Sequence, residues 1–322
     1  MRLVLEDVRR ISAASGFPEE TIEKSLRLLS VLQGLAGHRG LEGKFVLKGG
    51  TALNLFLLRL PRLSVDIDLN YVGRADRDTM VAERPALEAA VEGICRREGF
   101  QPRRTPDSHA GGKWRMAYTD VRGRNSHLAV DLNFMLRVPL WPPERLDSQV
   151  LGDARATGIP VVERHELAGA KFVALLARHA SRDLFDAVEL LRRSDWDWDR
   201  LRLAFLAYGA WNRRDWREVA VEDIQFDKQE IHSNLLPVLA RGSVPDKPDL
   251  LAWSQELVDE CRERMAGLLP LSPEHRAFLD RLNDQGEIAP ELVTSDTRMR
   301  ELLSTHPMMS WKAANVRAFR GL

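Results

Sequence analysis

The sequence predicts an α+β fold, with a small mixed sheet flanked by helices over residues 1–160 and a helical C-terminal domain over 161–322. Three observations carry it. Two short strand patterns bracket a Gly-Gly turn and a brief helix at 44–72. A second pair of strand patterns, at 113–136, surrounds a cluster of turn residues. Beyond 160 the apolar spacing changes from two to three and four. A chain of 322 residues is long enough for two domains and a sizeable core.

Residues 18–36 open on Pro18-Glu19-Glu20 and place Ile22, Leu26, Leu29, Leu32 and Leu35 at helical spacing, an amphipathic helix for one face of the sheet. Phe45 to Leu47 reads as a short strand that meets Gly49 and Gly50, with Thr51 at the N-cap of the apolar segment 52–58. Pro61 stops that segment. Residues 64–72 then alternate as a strand, so Asp66 and Asp68 point to the same face, with Ser64 two residues before them. Asp76-Arg77-Asp78 opens a helix that ends near Gly99, and Pro85 marks its true start or a kink. Strands at 113–120 and 127–136 form a hairpin about Arg122-Gly123-Arg124-Asn125. In its second arm Leu128, Val130, Leu132 and Phe134 alternate with Ala129, Asp131 and Asn133, which turns Asp131 away from the core row. Trp141-Pro142-Pro143-Glu144 breaks the chain, and 158–162 suits a short edge strand. Residues 167–191 carry a helical apolar stripe with a bend near 179–181. Trp196, Trp198, Trp211 and Trp216 mark a helical layer rich in aromatics, 244–248 is a turn, and helices follow near 250–268, 273–283 and 289–303.

Composition narrows the function classes. Lys plus Arg and Asp plus Glu both total 47, so the chain is not a uniformly basic nucleic-acid binder, although a local basic groove is compatible with this balance. Cys95 and Cys261 are far apart in sequence and read as free cytosolic thiols. The N-terminal residues lack an uninterrupted apolar core, and no run approaches the roughly 20 apolar residues of a membrane span. The expectation is a soluble, cytoplasmic protein. His232, His275 and His306 lack ligand spacing and read as surface or satisfied core.

The chemistry concentrates at 44–72. Two glycines let phosphates approach the backbone, and the following helix N-terminus favours an anion. Asp66 and Asp68, side by side, either share a proton or bind a cation, and beside a phosphate-binding turn the cation is most simply magnesium. Placed next to that strand, Asp131 completes three carboxylates on one face, the inventory of a phosphoryl-transfer site with ions about 4 Å apart. Further along, Lys171 and Arg178 lie two helical turns apart and Arg182 one turn beyond, three cations suited to phosphate. The plainer reading is a solvated helix in which Arg182 pairs with Asp186 and Arg178 with Asp183.

Gly49-Gly50-Thr51-Ala52-Leu53 followed by Arg62-Leu63-Ser64-Val65-Asp66-Ile67-Asp68-Leu69 resembles the first motif of the AbiEii family, nucleotidyltransferase toxins of the DNA polymerase β-like superfamily that include the MenT-type toxins. Lys171 through Arg178-x-x-x-Arg182-Asp183-x-x-Asp186 is similar to its downstream motif. The resemblance covers residues 40–190 and implies a polymerase β-like core. It assigns phosphate contacts to Gly49, Gly50, Thr51, Ser64, Lys171, Arg178 and Arg182. Metal ligation falls to Asp66, Asp68 and Asp131, and a further catalytic carboxylate is either Asp183 or Asp186. It implies a toxin that uses magnesium or manganese to move a nucleoside monophosphate from a nucleoside triphosphate to an acceptor hydroxyl. Among relatives the acceptor is the 3′ end of tRNA, which blocks aminoacylation; a protein side chain, a small molecule or a non-catalytic regulatory role are the alternatives. An antitoxin encoded nearby is the expected partner. Arg59, Arg62, Arg96, Arg97, Arg103, Arg104, Arg122 and Arg124 either face RNA or serve solubility.

Overall fold

The computed structural model describes residues 3–104, 111–246 and 249–321. Lys247 and Pro248, within the turn expected at 244–248, lie outside them. The chain divides into two compact units, Met1–Glu163 with Ser233–Pro245, and Arg164–His232 with Asp246–Leu322.

The first unit is built on a seven-stranded mixed sheet. Its strands are β1 (Phe45–Lys48), β2 (Asp66–Tyr71), β3 (Gln101–Arg104), β4 (Gly111–Thr119), β5 (Asn125–Asn133), β6 (Glu144–Leu146) and β7 (Ile159–Val161), in the order β3-β4-β5-β2-β1-β7-β6. β2 runs parallel to β5 and β1 parallel to β7; the other pairs are antiparallel. The expected edge strand at 158–162 is therefore internal, because Glu144–Leu146, where a chain break is expected, adds a further strand outside it. Helices α1 (Leu5–Ser15), α2 (Glu19–Ala36), α3 (Gly49–Ala52, widening into a π turn over Leu53–Leu57) and α4 (Arg77–Arg97) complete the unit. The apolar stripe of α2 is buried from Ile22 to Leu35, and α2 packs on α4 and β7. α4 starts at Asp76, whose carboxylate accepts the Thr79 N–H at 2.7 Å, and runs on through Pro85, so that proline is not the helix start.

In β5 the alternation divides the strand as its sequence demands: Leu128, Val130 and Leu132 are fully buried, while Ala129, Asp131 and Asn133 are half-exposed on the other face. The segment Ser233–Pro245 returns to this unit, where Pro237 O accepts the Thr21 hydroxyl at 2.8 Å and Val238 O accepts the Leu63 N–H at 2.9 Å.

The second unit is helical: α5 (Arg164–Arg178), α6 (Ser181–Leu191), α7 (Trp198–Ala210), the short α8 (Lys228–Glu230), α9 (Leu250–Arg264), α10 (Pro273–Asp280), α11 (Thr297–Thr305) and α12 (Pro307–Arg320). The bend expected near 179–181 is a full break, with His179 at φ 55°. The helix expected over 289–303 is a single turn at Pro290–Leu292 followed by α11, and α12 has no counterpart in the sequence reading. Its start was nonetheless encoded: Pro307 takes the first helical position and the buried His306 caps it, Nδ1 accepting the Met308 N–H at 3.2 Å.

Candidate active site

At the end of β1 the chain turns sharply at Gly49, which holds φ +71°. Any side chain there would collide with the Asp68 carboxylate, so the turn and the acid come together only because Gly49 has no Cβ. A Cβ at Gly50 would lie 2.8 Å from Arg62 Nη2 and 3.3 Å from Ser64 Oγ. The two glycines thus press against β2 on one side and against buried polar groups on the other.

Strand register does the rest. Lys48 pairs with Asp68 across β1 and β2, Asp68 with Asp131 across β2 and β5, and Asp131 with Lys113 across β5 and β4. Side chains at paired positions share a face and stand roughly 5 Å apart at Cβ. The four therefore form one row, lysine, aspartate, aspartate, lysine, across four strands. Asp66 lies one pleat along the same face of β2, opposite Ala129. Asp66, Asp68 and Asp131, predicted as a set, share a face, while Lys48 and Lys113 are additions that sequence reasoning missed. A lysine before a glycine pair reads as solvated until the antiparallel register places it opposite Asp68.

Burial raises the Asp131 carboxyl above its ordinary value; the charge of Asp68 pushes the same way, and Lys48 and Lys113 pull against both. Among the described residues no three His, Cys, Asp or Glu side chains close into a cage for a metal ion. The register provides an open row of carboxylates instead. Such a row fits magnesium, which is commonly held by one or two carboxylates and takes its remaining oxygens from water and substrate phosphates.

Thr51 and Ser64 stand behind the turn. α3 begins at Gly49 with Lys48 as its cap, so Thr51 is not the N-cap; its fully buried hydroxyl lies against Asp66 O and 2.8 Å from Ser64 Oγ. Ser64 precedes β2, is buried, and has its backbone oxygen 3.2 Å from Ser25 Oγ. Both hydroxyls brace the glycine turn against the start of β2.

In the second unit Lys171 and Arg178 share α5 as expected, but Arg182 is carried onto α6 by the break at His179. That break folds α6 back so that Lys171 Nζ sits 2.7 Å from Asp183 Oδ1 and 2.9 Å from Asp186 Oδ2, all three buried. Arg178 adds a bond from Nη2 to Asp183 Oδ1 at 3.0 Å. Burial pushes the Asp183 carboxyl up, but Lys171 and Arg178 outweigh it and hold it below the usual carboxylate value. Of the arginines considered for an RNA surface, Arg62 is buried beside Gly50, Arg104 pairs with Glu88, Arg96 with Glu92, Arg122 with Glu19 and Arg124 with Asp120.

Residues 30–284 match the family model described as "Nucleotidyl transferase AbiEii toxin, Type IV TA system". The chain belongs to the AbiEii family. This AbiEii protein is accordingly a nucleotidyltransferase, the toxin of a type IV toxin–antitoxin system, which implies a nucleoside triphosphate substrate and an antitoxin partner. Its fold is shared with MenT4, a nucleotidyltransferase toxin from Mycobacterium tuberculosis H37Rv, over 98% of this chain and 99% of that one, at 17% identity and a TM-score of 0.55. No curated protein matches the chain significantly by sequence. Nucleotidyltransferases of this kind generally use a divalent metal. The AbiEii match spans both the strand row and the Lys171 cluster. No helix among the described residues is long and apolar enough to cross a membrane.

Proposed function

We propose that this AbiEii toxin transfers a nucleoside monophosphate from a nucleoside triphosphate to the 3′-terminal hydroxyl of tRNA, in the cytoplasm, and so blocks aminoacylation. One observation carries the reading: the paired row of Lys48, Asp68, Asp131 and Lys113 beside the Gly49 turn. Gly49 and Gly50 let the triphosphate approach backbone N–H groups, and Lys48, next in sequence, faces the same site and offsets phosphate charge. Asp66 and Asp68 would hold magnesium or manganese, which when bound supplies charge neutralisation at the reacting phosphate. Asp131, whose carboxyl burial makes more basic, takes the proton from the attacking hydroxyl at Oδ. The bond from that oxygen to the α-phosphorus forms as the bond to the pyrophosphate oxygen breaks, and pyrophosphate leaves with the electron pair. Lys171, Asp183 and Asp186 lock α5 to α6 and act by positioning. The cognate antitoxin is encoded by a neighbouring reading frame.

The test is to incubate the purified protein with magnesium, each α-labelled nucleoside triphosphate in turn, and total tRNA. Label on RNA that disappears with Asp68→Asn and with chelator is the expected result. Label on protein, or on a small molecule, would replace tRNA as the acceptor.

A further inference from the structure

Two exposed aromatic side chains stand on α12: Trp311 at 43% and Phe319 at 88%. They are eight residues apart, with Asn315 between them, so all three lie on one stripe of the helix. Beside the stripe is a cleft of about 390 Å³ whose lining includes Arg213, Arg217, Lys312 and Arg320 against one carboxylate, Asp215. Four cations stand here next to exposed aromatic rings, and the carboxylates of Asp215, Asp280 and Asp284 pair with two of them.

The cations are held in different ways. Arg217 is fixed by Asp215, Asp280 and Asp284 at 2.6, 3.0 and 2.8 Å, and Arg320 by Asp284 at 3.0 Å. Arg213 is exposed, and Lys312 Nζ donates to Asn212 O at 3.1 Å. Burial, then the neighbouring Arg217 charge, lowers the Lys312 ammonium below its ordinary value, while Asp215 opposes them; an arriving anion would relieve that. Asn283, also on the wall, donates to Asp215 Oδ1 at 3.1 Å. The lining sets guanidinium, ammonium and amide groups beside the apolar side chains of Trp311, Val316 and Phe319. Flat rings at the rim, cations within and an amide on the wall are the elements that take an unpaired nucleotide.

We propose that the α12 cleft is an RNA-binding site for one unpaired nucleotide, its base stacked on Trp311 and its phosphate held by Arg213 and Lys312. This rests on the reading that the acceptor is RNA, and it adds a site in the helical unit distinct from the carboxylate row.

The test is binding, independent of transfer, with the full-length protein. A short 3′-fluorescein single-stranded RNA of mixed sequence, and the same RNA as a duplex, are titrated while anisotropy is followed. Wild type is expected to prefer the single strand. Trp311→Ala weakens it about tenfold and Trp311→Phe restores most of the loss, because any flat ring can stack. Arg213→Ala lowers the slope of log affinity against log salt by about 0.7, the loss of one phosphate contact. Unchanged affinity in Trp311→Ala, with tRNA still labelled by the enzyme, overturns the cleft and leaves the acceptor reading intact. Affinity that depends on Trp311, with label appearing on another acceptor, upholds the cleft and overturns the acceptor. Wild type without affinity for RNA overturns both, and a protein whose binding needs Trp311 while RNA binding does not would reassign the cleft.

Discussion

Asp131 is destabilising in the fold and useful in the reaction for the same reason. Buried beside Asp68, its carboxyl is raised, so the folded state binds its proton more tightly than the unfolded chain does. The stability linked to that proton is fully present below the ordinary aspartate value of 3.8 and is lost as pH rises through the higher folded value. Asp131→Asn is therefore expected to unfold at higher denaturant than wild type at neutral pH, with the difference vanishing in acid. The same change should reduce transfer by roughly 10²–10⁴-fold, the usual contribution of a general base. Chemical denaturation at two pH values and a label-transfer assay check both halves; a less stable Asn variant at neutral pH would contradict the electrostatics. Gly49→Ala is the complementary test. It forces an alanine to φ +71°, costing about 1–2 kcal/mol, and displaces the Asp68 carboxylate. Misplacement by about 1 Å costs on the order of 10²-fold in rate, so activity should fall much further than stability. The shared face of Asp66 and Asp68 was readable because strand side chains repeat every two residues, and Asp131 joined them only on the premise that its strand lies beside theirs, which the register bears out. Lys48, Lys113 and the inward hydroxyls of Thr51 and Ser64 were not readable, since each depends on which strand lies beside which.

At the scale of elements, the break at His179 converts what reads as one basic helix face into a buried ion cluster. Apolar periodicity continues across residues 167–191, so the sequence signals a bend and not the reversal that brings Asp183 and Asp186 onto Lys171. Removing Lys171 leaves two buried carboxylates without their shared cation. Lys171→Ala is expected to cost about 3–5 kcal/mol in urea unfolding. Arg178→Ala, whose side chain is 64% exposed, should cost under about 1 kcal/mol. Equal losses would mean that Lys171 does not hold the helices together. Asp183 has the opposite sign from Asp131: its depressed carboxyl contributes stability above the ordinary value of 3.8 that is lost as pH falls through the folded value. α12 shows the other limit, since its Pro307 and His306 start signals were present but its weak apolar stripe gave no period to follow.

For the whole molecule, the least readable feature is that the first unit is discontinuous. Ser233–Pro245 has neither helix nor strand periodicity, and only its hydrogen bonds reveal where it belongs: Val238 O to Leu63 N–H at 2.9 Å, Pro237 O to the Thr21 hydroxyl at 2.8 Å, and Arg241 N–H to Gly16 O at 2.9 Å. One of these bonds holds Leu63, immediately before Ser64 and three residues from Asp66, so the segment braces the approach to the carboxylate row from behind. A fragment that ends at Glu163 keeps every strand and every carboxylate of the row but lacks all three partners. At about 1 kcal/mol each they amount to roughly 3 kcal/mol, a large share of the stability of an ordinary domain. Joining residues 233–245 to that fragment through a flexible Gly-Ser linker should recover most of the loss. The comparison is the urea midpoint of the two fragments at matched concentration. Coincident midpoints would show that the returning segment lies on the first unit without holding it together.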